Sequence, residues 1–387
     1  IDHEQCLGSW SFCISSAIFV SVDFYREIYT WLIHEETVAI ATVVQVNGSV
    51  PREASAKMLI RRGGYTSGTI GGGAGEAKVI QYAQHLLEGE SGAESRTTED
   101  ADIAPYLDRS LGKGSLENGD RPEFTLHDSN QVGKGWVTID LTGASHRDTQ
   151  GVCGGIMKVW VELWRADWGI ELVEKVIQAL ENKRAIALVT PLLPGSHPHL
   201  TPTDQAAAPI QSSEEQFIES LQPYPTLLVI GAGHVGVALA QVAAIAGFSV
   251  CVYDDRTEML DPNRFPSKVT LMSGAIAHVL QQICITQECY IALVTRGVTY
   301  DVEALNALDK ILTQLTPRYV GMMGSQKRIN YVFNRLKETK ANDQRLHQYL
   351  SQIHAPIGLA IGALTPAEIA VSICAEMIQI RRQRNIL

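Results

Sequence analysis

LLVIGAGHVG, residues 227–236, sets a short apolar run directly ahead of Gly231, Gly233 and Gly236. Glycines at this spacing permit a tight turn, close approach of backbone to a phosphate, and seating of the next helix on its strand. The run predicts a strand over TLLVIG and a helix over HVGVALAQVAAIAG. FSVCVYD reads as the following strand and ends at Asp254, 23 residues after Gly231. An acid near that offset holds ribose hydroxyls, whereas Arg256, in YDDR, would suit a 2′-phosphate instead. YIALVTRG and RYVGMMG continue the strand–helix alternation, so residues 225–387 are expected to form a Rossmann-like doubly wound parallel sheet. A domain that keeps its glycines only for packing is the alternative.

At 387 residues the chain is long enough for two domains. Apolar residues make up 45% and charged ones 19%, an ordinary globular balance. A net charge of −10 argues against nucleic acid and anionic membrane as partners. Seven cysteines, an odd count without a CxxC pair, suggest free thiols in a reducing compartment, the cytoplasm. The uncharged run from Trp10 to Val22 is too short to span a bilayer and has no basic segment before it, so no signal peptide is expected.

Ahead of residue 195 the pattern is mixed α/β, and a first domain is placed at 23–194. It begins with a helix near 23–34, then strands at VAIATVVQV and AKMLIR, a glycine cluster, and a helix at AKVIQYAQHLLEG. Residues 89–123 are polar and read as a surface insertion. Strands return at GWVTIDL, GIMKVWVEL and AIALVTPLL, with a helix at IELVEKVIQALENK. The Pro-, Ser-, Gln- and Ala-rich stretch 195–224 is expected to be an interdomain linker.

Three features of this domain suggest binding. Arg52, on the stiff turn NGSVPRE, can present its fork to a carboxylate or phosphate, or pair with a glutamate. SGTIGGGAGE brings Gly71, Gly72 and Gly73 to a helix start, a second candidate anion site. Glu76 would oppose an anion there, so it either caps the helix or faces a polar ring edge. Cys153 precedes Gly154 and Gly155, which remove side-chain bulk beside its sulfur. A thiolate is both nucleophile and ligand for sulfur-accepting metals. Cys251, Cys284, Cys289 and Cys374 read instead as small buried apolar residues.

In the second domain, GMMGSQKR places Gly324 and Ser325 at a strand end before Lys327 and Arg328. This reads equally as a phosphate cradle or as a solvated first helical turn. Thr365, Pro366 and Glu368 have the spacing of a capping box, and His354 reads as a hydrogen-bonded loop residue.

ATVVQVNGSVPRE, GTIGGGAGEA, GVCGG, VIGAGHVG with VYDDR, YVGMMGSQKR and APIGLAIGALTPAEIAVSICAE, taken in order, resemble the XdhC/CoxI family of xanthine dehydrogenase accessory proteins. The resemblance runs from about residue 24 to 382. It implies an N-terminal XdhC domain and a C-terminal Rossmann-like domain that together bind molybdenum cofactor (molybdopterin). It further implies that the protein promotes cofactor sulfuration with a cysteine desulfurase and delivers the cofactor to a xanthine dehydrogenase-family apoenzyme. Cys153 matches the cysteine tied to cofactor binding in the family, which makes it the expected molybdenum ligand. A carrier without turnover and a homodimer are the corresponding expectations. An NAD(P)-dependent oxidoreductase and a sulfur-transfer enzyme are the alternatives. Four positions depart from the family pattern: Ser55 stands where a glycine is usual, Ala360 where an acid is, Val298 where many relatives have histidine, and Ala74 where some have cysteine.

Overall fold

The computed structural model describes residues 18–19, 22–89, 133–142, 154–193, 195–201, 211–283, 285–286, 288–312, 317–339 and 343–383. The chain divides into two compact units, Ile1–Pro223 and Tyr224–Leu387. Most of the polar insertion, Cys153 and Cys284 lie outside the described residues.

In the first unit β1 (Ile18–Phe19) and α1 (Val22–Glu35) precede β2 (Thr37–Asn47), β3 (Lys57–Ile60) and β4 (Thr66–Gly68). α2 (Gly73–Gly89), β5 (Lys134–Asp140), β6 (Ile156–Arg165), α3 (Ala166–Glu181) and β7 (Ile186–Pro191) follow. β2 is the hub of an antiparallel sheet ordered β4-β3-β2-β6-β5. It is buried on both sides along most of its length, because alternate residues serve different layers. Ala39, Ala41 and Val43 pack with Val79, Ala83 and Leu87 of α2. Val38 and Ile40 pack with Tyr25, Ile28 and Leu32 of α1 and with Val173 and Val176 of α3.

Among its described residues, the stretch expected to be a linker contains three strands. β8 (His199–Thr201), β9 (Gln211–Ser212) and β10 (Gln216–Gln222) join β7 and β1 in a second sheet, and β10 pairs with β7 over six residues. Composition misled because long-range pairing of QFIESLQ with β7, not Pro and Ser content, decides this segment. Phe217 and Leu221 enter the core, and Glu219 between them is 0% exposed. Lys57 meets Glu219 at 2.6 Å, off the hydrogen-bond axis, and also donates to Thr42 Oγ1 at 3.0 Å. This ion pair ties β3 to β10 and so fixes the register of one sheet over the other. Desolvating both charges offsets much of the attraction.

The second unit carries β11 (Thr226–Ile230), α4 (His234–Ile245), β12 (Ser249–Tyr253), β13 (Thr270–Met272), α5 (Ile276–Gln282), β14 (Cys289–Leu293) and α6 (Val298–Leu312). β15 (Tyr319–Met322), α7 (Gln326–Thr339), α8 (Gln344–Gln352) and α9 (Pro366–Gln383) complete it. Its sheet is parallel throughout, in the order β13-β12-β11-β14-β15, as expected for a Rossmann-like domain. Leu227 and Val229 face α4 and α9, while Leu228 and Ile230 face α5, α6, α7 and α8. Order reverses between β11 and β14, and the carboxyl ends of those strands therefore frame a crevice. Among the described residues no helix is long and apolar enough to cross a membrane.

Ser55 keeps a backbone conformation that suits the family glycine, and nothing in the structure explains the serine. Its φ is +72°, and its hydroxyl is buried without a hydrogen-bond partner. A non-glycine residue there costs about 1–2 kcal/mol, and the orphaned hydroxyl adds to that. Ser55→Gly is expected to raise unfolding free energy by roughly 1 kcal/mol once the looser unfolded chain is counted. Denaturant titration checks this, and a variant no more stable than wild type contradicts it.

Candidate functional site

In the first unit three sequence motifs are brought together by their glycines. A Cβ at Gly155 would lie 2.5 Å from the Ser49 carbonyl oxygen and 2.6 Å from that of Asn47. One at Gly48 would lie 2.9 Å from the Gly154 oxygen. The NGS turn and the Gly154–Gly155 pair are thus in backbone contact that no side chain would permit. The β5–β6 hairpin holds the pair in place, since Leu141 N–H donates to the Gly155 oxygen and Gly154 N–H to the Leu141 oxygen. On the other side Gly71 packs on Pro51, where a Cβ would come within 2.6 Å of the proline ring. Arg52 is exposed beside it, as are Gly72 and Gly73, which have open space around them. Gly154 is exposed with φ +75°. Cys153, the next residue back, lies outside the described residues.

The glycine turn itself is not free to hold a phosphate. Glu76 folds back from α2, and its Oε2 accepts from Thr69 Oγ1 at 2.7 Å, Gly72 N at 3.0 Å and Ile70 N at 3.2 Å. Gly71 N–H donates to Thr69 Oγ1. The expectation of an anion site at Gly71–Gly73 is corrected accordingly: the Ile70 and Gly72 amides hold the chain's own carboxylate, and the Gly71 amide is taken by Thr69. Of the two readings of Glu76, the capping one matches the geometry.

In the second unit the glycines divide the work. At Gly231, φ +118°, a Cβ would stand 2.6 Å from the Val294 oxygen, so this glycine lets β11 and β14 close at their ends. At Gly236 it would stand 1.9 Å from the Gly231 oxygen, so this one seats α4 on its strand. Gly233 has nothing within 4 Å, and it caps α4 without a side-chain bond. Uncapped amides at a helix start beside open space fit a phosphate group.

Asp254, 3% exposed, is spent inside the protein. Its Oδ2 accepts from Ala232 N at 2.8 Å and Arg256 Nη2 at 3.1 Å; its Oδ1 accepts from Arg256 N and Nε, each at 3.0 Å. Burial pushes its pKa up, but Arg256 and the Ala232 and Arg256 amides outweigh burial and leave it below the usual value. A carboxylate offers about four lone-pair sites, so the ribose-holding role expected of Asp254 is displaced by this clamp. Arg256 is therefore half of an ion pair rather than a free cation. Asp255 pairs through both oxygens with Arg296 at 2.5 and 2.7 Å, which lowers its pKa. The Arg296 guanidinium lies 3.5 Å from the Tyr300 ring centroid. A shallow, solvent-open cleft is lined here by Gly231, Asp254, Asp255, Arg296, Tyr300 and Glu303.

At the end of β15 the Arg328 side chain packs beside Gly324, but its guanidinium is taken by other partners. Arg328 Nε donates to Asp301 Oδ2 at 2.7 Å and its Nη2 to Thr295 Oγ1 at 2.8 Å, while Thr295 Oγ1 donates to Asp301 Oδ1 at 2.5 Å. Asp301 is 0% exposed, and burial raises its pKa despite these bonds. Arg328 thus locks α7 to the end of β14, and Ser325 Oγ accepts from Arg328 N at the helix start. Lys327 is exposed. The capping box is present as read: Glu368 Oε2 accepts from Leu364 N and Thr365 N, and Glu368 N–H donates to Thr365 Oγ1. His354 bonds Glu376 Oε1 at 2.9 Å, and Tyr319 donates to Glu376 Oε2.

The sequence reading missed Arg296, Tyr300, Thr295 and Asp301. The available signal was TRGVTYD itself, which follows a β strand as LLVIGAG does and so had to end at the same crevice.

The architecture is that of a two-unit α/β protein whose second unit is a Rossmann-like domain. Residues 31–97 match the model of the XdhC and CoxI family, and residues 227–377 match that of the XdhC Rossmann domain. The chain belongs to the XdhC/CoxI family. It is 27% identical over 380 residues to a probable xanthine dehydrogenase subunit of Bacillus subtilis (strain 168), covering 93% of this chain and 98% of that one. It is 28% identical over 212 residues to the uncharacterized protein YqeB of Escherichia coli (strain K12), over 54% of this chain and 36% of that protein's length. A crystal structure of a xanthine dehydrogenase from Bacillus halodurans superposes with a TM-score of 0.67 at 20% identity, covering 94% of this chain and 96% of that one, a likeness of fold.

Glu76→Ala removes the shared acceptor of two amides and a hydroxyl. It is expected to lower the stability of the first unit by roughly 1–3 kcal/mol, with Glu76→Gln losing less. Denaturant unfolding of both variants checks this, and an unchanged midpoint for Glu76→Ala contradicts it.

Proposed function

We propose that the protein is an accessory factor for the maturation of xanthine dehydrogenase-type molybdenum hydroxylases, binding molybdenum cofactor and promoting its sulfuration and insertion. Family membership supports the accessory role. The observation that carries the binding step is the convergence of the turn 47–52, the glycine turn 69–73 and the Gly154–Gly155 pair, with residue 153 next in the chain. Bare backbone on three sides suits a flat, phosphorylated pterin, and Arg52 is the exposed cation at the cluster. The amides of Ile70 and Gly72 do not serve the phosphate, because Glu76 holds them. When bound, the cofactor supplies a dithiolene-held metal, and the Cys153 thiolate would lend it a sulfur ligand that can later be given up. Arg52 would bear on the cofactor's negative charge and Gly154 would leave its approach open. The same reading places the protein in the cytoplasm as a homodimer, with the apoenzyme and a cysteine desulfurase as partners.

The test is purification from molybdenum-replete cells, with bound molybdenum and oxidised pterin measured in wild type and Cys153→Ala. Wild type is expected to carry both and the variant to lose most of them. Negligible loading in both contradicts the carrier role.

A further inference from the structure

α4 and α9 lie side by side on one face of the second unit's sheet, where their inner residues share a core with Leu227 and Val229. Their outer residues face solvent. Single exposed apolar side chains are ordinary on a protein surface, but here they collect. Of the eight large apolar side chains exposed among the described residues, Ile245, Ile361, Leu364 and Val371 belong to α4, to α9 or to the loop leading into α9. Leu364 is 87% exposed and Ile245 90%. α4 has no Asp, Glu, Lys or Arg among its twelve residues, although the outward side of a surface helix ordinarily carries charge.

The two ends of this face carry matching marks. At the amino end of α9 stand Leu364 and Glu368, and the Thr365 and Leu364 amides hold the Glu368 carboxyl below its usual range, so it stays ionised. At the carboxyl end stand the exposed Arg382 and, from α4, Ile245. Arg381 Nη1 donates to the Ala246 oxygen at 3.3 Å, which brings these two helix ends together. Glu368, Val371, Ala375 and Arg382 form one stripe along α9, because residues three and four apart lie on the same side of a helix. Glu368 and Arg382 are separated by about 21 Å of helix, with Ala375 midway. A two-fold axis near Ala375 therefore sets Leu364 against the partner subunit's Ile245 and Glu368 against the partner subunit's Arg382, and repeats both contacts. The small side chain at the axis lets the two helices approach. Copies of a chain with a net charge of −10 repel one another, and a face with one acid and one base adds nothing to that repulsion.

We propose that the outward face of α9 and α4 pairs with the same face of a second copy of this chain, α9 running antiparallel to its counterpart with Ala375 at the two-fold axis. The proposal rests on the maturation reading only for the expectation of a homodimer and draws on none of its cofactor chemistry.

The experiment is sedimentation of the full chain over a range of concentrations, with surface variants and a cysteine probe. The wild-type chain is expected to be dimeric, and Val371→Asp monomeric with an unchanged circular dichroism spectrum. Arg382→Glu should raise the dimer dissociation constant at least about tenfold, since the axis repeats the like-charge contact with Glu368, whereas Arg382→Lys should leave it nearly unchanged. On mild oxidation Ala375→Cys should link two copies through a disulfide beyond any link the wild type forms, and Tyr331→Cys, on α7, should not. A wild-type chain that is monomeric throughout, a dimer indifferent to Val371→Asp or to Arg382→Glu, or no added link at Ala375→Cys overturns the proposal. Molybdenum and pterin loading is read separately on the wild type. A loaded protein that does not pair here leaves the carrier reading intact, and an unloaded one that does pair here leaves this interface intact.

Discussion

The carboxylate of Asp254 holds three pieces of the second unit at once. It receives the Ala232 amide from the glycine turn, the Arg256 amide from the chain leaving β12, and the Arg256 guanidinium. Ala232 is 0% exposed, so without this acceptor its N–H would be buried and unanswered, a penalty of about 1–3 kcal/mol. Arg264 closes the same turn from the other side, donating from Nη2 to the Ala232 oxygen at 3.1 Å. The turn is therefore shaped by its own protein before any ligand arrives. Gly231 and Gly236 can then serve close packing, leaving only the Gly233 side open.

Glu76 does the same for the glycine turn of the first unit. In both units an acid that follows a glycine-rich segment supplies the negative charge that the turn amides call for. A glycine turn with a nearby acid is thus compatible with two arrangements of similar electrostatics: a ligand phosphate on the amides, or an internal carboxylate on them. Which one occurs depends on reach. Glu76 lies one helical turn inside α2 and comes back over Gly72; Asp254 lies on the neighbouring strand, directly beneath Ala232.

This difference marks how far sequence could go. The parallel sheet was legible because strand and helix periods alternate over most of the stretch from Thr226 to Met322, although β13 follows β12 without an α-helix between them and was not read, and the capping box at Thr365 and Glu368 is a purely local pattern. The glycines of the two turns were legible as positions where no side chain fits. Segment 195–224 was misread because Pro and Ser content dominates it and QFIESLQ, with a charged residue between Phe217 and Leu221 on the same buried face, carries no clean strand pattern. The partner that makes a buried Glu219 tolerable, Lys57, lies 162 residues away in sequence. Arg296, Asp301 and Arg328 were likewise invisible as a set: each is an ordinary charged residue locally, and only the sheet order brings their ends together. For Cys153, whose place is outside the described residues, the sequence and its family pattern carry the argument alone.

Amide hydrogen exchange at Ala232, followed in wild type and in Asp254→Asn, tests the clamp most directly. Strong protection of this amide in the wild-type protein, falling by at least tenfold in the variant while the amides of β11 stay protected, is the result expected. Rapid exchange at Ala232 in the wild type, or protection indifferent to the loss of the carboxylate, would mean that Asp254 does not hold the turn and is free for a ribose after all.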